Sequence, residues 1–242
     1  MKQIAVKSKL KTEYAFKEAI NTICSNITFS GCDVTCIEIT SCREHEGKSV
    51  LSSEIWRNLA NMGLKTVLID ADLRRSTMNH LLGVKLPSGT GLAHYLSKAD
   101  LAPEDILYET DIKNAYYISS GRDVSNSMQL LAGEKLAELI RSLKADFDYI
   151  IIDTPPIGAI IDAAVIAQWC DGALLVVTQN LTTKAEIFRV KEQIEKAECP
   201  ILGAIMNKVD MNKKSSRYYN SASYYSAYRS GYYSRKGKSR KN

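Results

Sequence analysis

An α/β fold, with a mostly parallel central sheet flanked by helices and a disordered C-terminal tail, is the class this sequence predicts. Three observations carry it. Short β-branched runs alternate with segments whose apolar residues recur three to four apart. The runs are apolar at consecutive positions, as in strands covered on both faces. After Asp210 there is no acidic residue and no Leu, Ile, Val, Phe or Trp.

Composition fits one large domain plus a tail. Of 242 residues, 45% are hydrophobic and 24% charged, which provides for a sizeable core. This excludes a collagen-like, wholly disordered or disulfide-stapled chain. No apolar run approaches the ~18 residues that span a bilayer. The opening MKQIAVKSKLKTEY lacks the apolar centre of a signal peptide, so a cytosolic location is expected. The six cysteines (24, 32, 36, 42, 170 and 199) form no C-x-x-C pair and read as reduced, buried thiols rather than zinc ligands.

The elements follow in order. Residues 14–29 have helical spacing, and Val34 to Thr40 reads as a strand. A loop precedes a helix from Lys48 to about Met62, ended by Gly63. Thr66 to Ile69 is a buried strand, and Leu73 to about Glu109 is less regular. Tyr116 to Ser119 is a strand and Ser127 to Lys144 a helix. Strands at Tyr149–Ile152, Gly172–Thr178 and Ile201–Asn207 alternate with helices at Ile160–Trp169 and Lys184–Ala197. Ligands of such sheets bind beyond the carboxyl ends of the strands.

Charge divides the chain into residues 1–210 and 211–242. The tail holds nine Lys or Arg and no acid, leaving 23 basic against 27 acidic side chains before it. It carries seven of the 13 tyrosines, Tyr218, Tyr219, Tyr224, Tyr225, Tyr228, Tyr232 and Tyr233, and no Leu, Ile, Val, Phe or Trp. Such a segment buries too little apolar surface to offset its ordering entropy. It reads either as a basic segment for anionic surfaces or single strands, or as an array of phenol acceptors.

Three motifs mark strand ends. CREHEGKS (42–49) nearly matches a phosphate-cradling loop, in which backbone N–H groups hold phosphates, Lys48 reaches the terminal ones and the Ser49 hydroxyl meets Mg²⁺. VLIDADLRR (67–75) puts Asp70 and Asp72 two residues apart, on one side of an extended chain. Paired carboxylates there serve metal binding and proton abstraction. The plainer alternative makes Asp72 a helix cap, with Arg74 and Arg75 solvated. YIIIDTPP (149–156) ends an apolar strand in Asp153, a carboxylate placed to hold a metal. Together, in this order, the three point to a Mg-nucleotide site.

EGKS, LIDADLRR, GLAHYL, IIIDTPP, TTKAE and MNKVD before a tyrosine cluster resemble the bacterial tyrosine kinases, the BY-kinase family of capsule and exopolysaccharide assembly. The resemblance covers the whole chain. It implies a SIMIBI-type P-loop fold using ATP and Mg²⁺, with 1–210 as kinase domain, 1–31 as a helical oligomerisation segment and 211–242 as the autophosphorylated tail. It implies a loop, Arg43, Glu44, His45, Glu46, Gly47, Lys48, Ser49 and Val50, around the nucleotide, with Asn207 near the adenine. Lys48 and Asp70 become the catalytic pair, Asp70 as base, and Ser49, Asp72 and Asp153 surround the metal. The seven tail tyrosines become acceptors phosphorylated by a neighbouring subunit. Implied partners are further copies in a ring, a transmembrane co-polymerase that activates the kinase at the inner face of the membrane, and a tyrosine phosphatase; nucleic acid is not expected.

Three departures stand out. Glu44 and His45 replace the family's Pro and Gly, and a left-handed backbone at that glycine would strain His45 by ~1 kcal/mol or more. Asn21 and Cys24 replace two arginines of the first helix, which brings a ring held by their ion pairs into question. SNSMQLL (125–131) replaces a proline-rich stretch. A partitioning-type ATPase, with Arg43 at its signature-lysine place, and a degenerate nucleotide-binding scaffold are the alternatives.

Overall fold

The computed structural model describes residues 2–8, 13–31, 33–87, 90–98 and 100–209. The chain divides into two units, Met1–Lys208 and Val209–Asn242. The tail tyrosines and Cys32 lie outside the described residues.

The first unit runs β1 (Lys2–Ile4), α1 (Tyr14–Phe29), β2 (Cys36–Ser41), α2 (Lys48–Asn61), β3 (Thr66–Asp70), α3 (Met78–Leu82), α4 (Leu92–Ser97), α5 (Pro103–Ile106), β4 (Tyr108–Thr110), β5 (Ala115–Ile118), α6 (Ser127–Leu131), α7 (Glu134–Asp146), β6 (Tyr149–Asp153), α8 (Asp162–Ala167), β7 (Gly172–Thr178), α9 (Lys184–Lys196) and β8 (Ile201–Asn207). The strands form one sheet in the order β1-β4-β5-β3-β6-β2-β7-β8. All neighbours pair in parallel except β4 with β5. Long crossovers place the carboxyl ends of β3, β6, β2, β7 and β8 along one rim.

Both faces are covered. Ile37 and Ile39 of β2, Leu68 of β3 and Ile151 of β6 pack against α1 and α2. The alternate positions Cys36, Val67, Ile69, Ile150 and Ile152 pack against α4, α6 and α7. Ala173, Leu175 and Val177 of β7 meet α8 and α9. Trp56 of α2 is fully buried and spends its one donor on the Thr66 carbonyl (3.2 Å).

Sequence spacing gives most long elements within two residues. Four places differ. β1 at Lys2–Ile4 is a strand inside the 1–31 segment expected to be helical, too short to show a period. The helix expected over 127–144 is two helices, because Gly133 takes an extended ψ of 150° and caps α7. The stretch 73–109 holds three short helices and the antiparallel β4, all too short to show a period. The helix expected from Ile160 starts at Asp162. No helix among the described residues is long and apolar enough to cross a membrane.

Glu38, midway along β2, is fully buried, and neither carboxyl oxygen is hydrogen-bonded among the described residues. The nearby Thr154 hydroxyl donates to the Ile39 carbonyl (3.2 Å) and offsets little of the burial, which pushes Glu38 up to about 8. A carboxyl raised in this way supports folding fully below its ordinary pKa of 4.5 and loses that contribution as pH rises through about 8. Glu38→Gln is therefore expected to flatten the fall in stability between about pH 5 and 8, and to gain a few kcal/mol at about pH 9. Urea unfolding across that range checks it.

Candidate active site

The loop after β2 is braced from four directions. Glu46 is fully buried. Its Oε2 accepts the Arg43 N–H (2.8 Å), and its Oε1 accepts the Thr178 N–H at the end of β7 (3.1 Å) and the Thr182 hydroxyl. Asn207, closing β8, donates from Nδ2 to the Glu46 carbonyl (2.8 Å). Lys208 donates from Nζ to the His45 carbonyl (2.6 Å). Gly158, after β6, packs so tightly that a Cβ there would stand 2.2 Å from the Cys42 carbonyl oxygen.

Two loop residues have left-handed backbone, His45 at φ 62° and Gly47 at φ 89°. The departure at His45 thus falls where glycine suits the chain. Histidine tolerates this region better than β-branched residues do, at ~1 kcal/mol. Gly47 is the more constrained: a Cβ would stand 2.3 Å from Asn207 Nδ2, so that side chain would have to move. Directly after it α2 begins with no side-chain cap. Its first N–H groups thus have no side-chain cap, an arrangement of the kind that suits an anion. In contrast, Thr183 and Glu186 cap α9 reciprocally.

The carboxylates converge through sheet register. Asp70 pairs with Asp153 across β3 and β6, and Ile39 of β2 also pairs with Asp153. Asp153 is buried and accepts the Ser52 hydroxyl (2.8 Å). Burial raises its pKa, while Lys48, Ser49 and Ser52 pull it down. Asp72 accepts the Arg74 (3.3 Å) and Arg75 (3.0 Å) N–H groups on Oδ1, folding the loop over itself. Asp70 is fully buried; its Oδ2 accepts the Ser76 hydroxyl and the Ser120 N–H (3.4 Å), and its Oδ1 has no partner among the described residues. Burial first, then repulsion from Asp153, pushes Asp70 up to about 7 against the pull of Ser76.

A cavity of about 1100 Å³ opens on this rim. That exceeds the ~300–1,000 Å³ of an ordinary small-molecule site. Glu44, His45, Gly47, Lys48, Ser49, Val50, Asp72 and Asp153 line it. Arg43, Glu46, Asn207 and Asp70 do not. Arg43 pairs with Glu186 of α9 (2.6 Å), whose pKa it lowers to about 2. Glu46 and Asn207 brace the loop from behind. The expected side-by-side Asp70 and Asp72 are separated because the chain stops being extended at Ala71, whose carbonyl accepts the Leu73 N–H (3.0 Å). Sequence reading missed Arg74, Arg75, Ser76 and Lys208 as lining residues. The two arginines stood inside a quoted motif, but a solvated arginine looks the same in sequence.

A family model described as an AAA domain matches residues 34–197. The chain is 43% identical over 208 residues to a tyrosine-protein kinase CpsD of Streptococcus agalactiae, covering 85% of this chain and 88% of that one. The chain belongs to the bacterial tyrosine kinases. Among solved structures, the kinase domain of the Escherichia coli tyrosine kinase ETK superposes with a TM-score of 0.76 at 27% identity, over 83% of this chain and 78% of that one. The septum site-determining protein MinD of Pyrococcus horikoshii, complexed with Mg-ADP, gives a TM-score of 0.63 at 27% identity over 74% and 72%. This member of the kinase family keeps Lys48, Ser49, Asp72 and Asp153 around one cavity, although its loop departs at Glu44 and His45.

Two substitutions test the loop. Gly47→Ala is expected to displace Asn207 and weaken nucleotide binding at least ~10-fold, read by titration with a fluorescent ATP analogue; loss of ~1.4 kcal/mol corresponds to that factor. His45→Gly should be neutral or stabilising by up to ~1 kcal/mol, whereas β-branched His45→Val should cost ~1–2 kcal/mol in urea unfolding.

Proposed function

We propose that this protein is an ATP-dependent protein-tyrosine autokinase that phosphorylates the tail tyrosines 218, 219, 224, 225, 228, 232 and 233 of a neighbouring copy. The supporting observation is one cavity that gathers an uncapped helix start, Lys48 and two carboxylates, in a chain whose last 32 residues hold a basic tyrosine cluster. The volume leaves room for an acceptor beside a nucleotide.

Phosphoryl transfer needs alignment and charge neutralisation more than covalent participation. The free N–H groups of α2 and the Lys48 ammonium hold the phosphates. The acceptor phenol oxygen forms a bond to the γ-phosphorus, the β–γ bridging P–O bond breaks, and its electron pair leaves on ADP. Asp70 takes the phenol proton, a role that requires Ser76 to release it. Ser49, Asp72 and Asp153 offer hard oxygen ligands to one side of the cavity, too few to enclose a cation. That suits Mg²⁺, which keeps waters and phosphate oxygens in its shell and would neutralise phosphate charge when bound.

Regulation of capsule or exopolysaccharide synthesis, activation by a transmembrane partner and reversal by a tyrosine phosphatase complete the reading. Each tail phosphate adds about −1.5 to −2 charge, so seven reverse the sign of a segment with nine cations. That reversal would loosen contacts between copies. The Arg43–Glu186 pair favours the kinase over a partitioning-type ATPase, since it holds Arg43 away from the cavity.

Intact mass after incubation with Mg-ATP and an activator tail tests the proposal. Phosphate increments that map to Tyr218–Tyr233 and vanish in Lys48→Met are expected; an unmodified protein with ATP bound and the activator attached would overturn it. If Asp70 is the base, it acts ionised, so kcat should climb as pH rises through about 7 and level off above. Asp70→Asn should remove that rise and lower kcat ~10²-fold or more.

A further inference from the structure

Arg74 lines the cavity with about a third of its side chain exposed (35%), yet one edge of its guanidinium is committed. Nε donates to Asp162 Oδ2 (2.9 Å) and Nη2 to Oδ1 (3.2 Å). Asp162, the first residue of α8, is fully buried. It also accepts the Ser127 hydroxyl at the start of α6 (2.6 Å). Arg74 is thus gripped by a carboxylate that is itself fixed between two helices.

The arrangement is more than an ion pair for stability. Replacing a buried pair by apolar side chains is often neutral or better, so the pair alone is weak grounds for a structural role. Among the described residues, the two bonds to Asp162 leave the Nη1 donors and one Nη2 hydrogen uncommitted, on a rigid fork suited to phosphate oxygens. The backbone N–H of the same residue donates to Asp72, which faces the cavity. One tight loop therefore carries a candidate metal carboxylate and a cation together, the cation's stem held at its far end by Asp162.

We propose that Arg74 is a catalytic arginine that contacts the phosphoryl group in flight, and that Asp162, supported by Ser127, is the positioning residue that aims it. The inference rests on the kinase reading above. Charge on the equatorial oxygens spreads as the phosphoryl leaves ADP, and a pre-aimed guanidinium stabilises it without reorganising. Nothing is bonded or cleaved at Arg74 itself.

Steady-state kinetics of tail phosphorylation, with KM for ATP and kcat resolved, tests this in the full chain with its activator. Arg74→Lys retains a cation for Asp162 but cannot reach both carboxylate and phosphoryl. It should keep the melting midpoint near wild type and KM for ATP within ~3-fold, while kcat falls ~10²-fold or more. Asp162→Asn should lower kcat ~10-fold at unchanged KM, and add less than ~2-fold in the Arg74→Lys background, because it acts through Arg74. Unchanged kcat in a folded Arg74→Lys, a loss confined to KM for ATP, or fully additive losses in the double variant would each overturn the proposal. If Asp162→Asn fails to fold, Arg74→Lys alone decides. A wild type that binds ATP but transfers no phosphate in this assay overturns the kinase reading, and this one with it.

Discussion

Parallel pairing of β2 and β3 on either side of β6 is the constraint on which the rest of the site depends. Asp153 is the register partner of both Ile39 and Asp70, so β3 and β6 end level with each other and β2 ends two residues beyond them. From that rim the phosphate loop, the Asp72 turn and the segment leading to α8 all leave in the same direction. A shift of one residue in either pairing would reverse which side chains face α1 and α2 and which face α7. The buried Ile and Val on both faces therefore fix the chemistry as well as the core.

The site carries several costs at once. Asp70 and Asp153 are buried carboxyls, and both are raised by burial. His45 holds a backbone geometry that glycine would adopt freely. The first turn of α2 lacks a cap. Groups of this sort destabilise an empty protein and become favourable once charge arrives to meet them.

The strand–loop–helix frame and Lys48, Ser49 and Asp153 were legible because strand period and loop spacing are local signals. Glu46 was legible only as a loop residue. Its partners Thr178 and Thr182 lie more than 130 positions away, and no local pattern shows that TTKAE secures EGKS. Asp70 and Asp72 looked equivalent until the turn at Ala71 sent one inward and left one on the cavity. Arg74 was visible as a letter in a motif, while its partner Asp162 sat in a helix start that reads like any other. The short helices between 78 and 106 were hidden because four to six residues do not make a period.

The bracing of the phosphate loop has a kinetic consequence. Bonds from Thr178, Thr182, Asn207 and Lys208 secure the loop by contacts within the protein, so its shape does not rest on a ligand to order it. Association with a preformed surface varies little among related ligands, and differences in affinity then appear in how long each one stays. Under the proposed function, residence time rather than the rate of capture is what would separate one nucleotide from another.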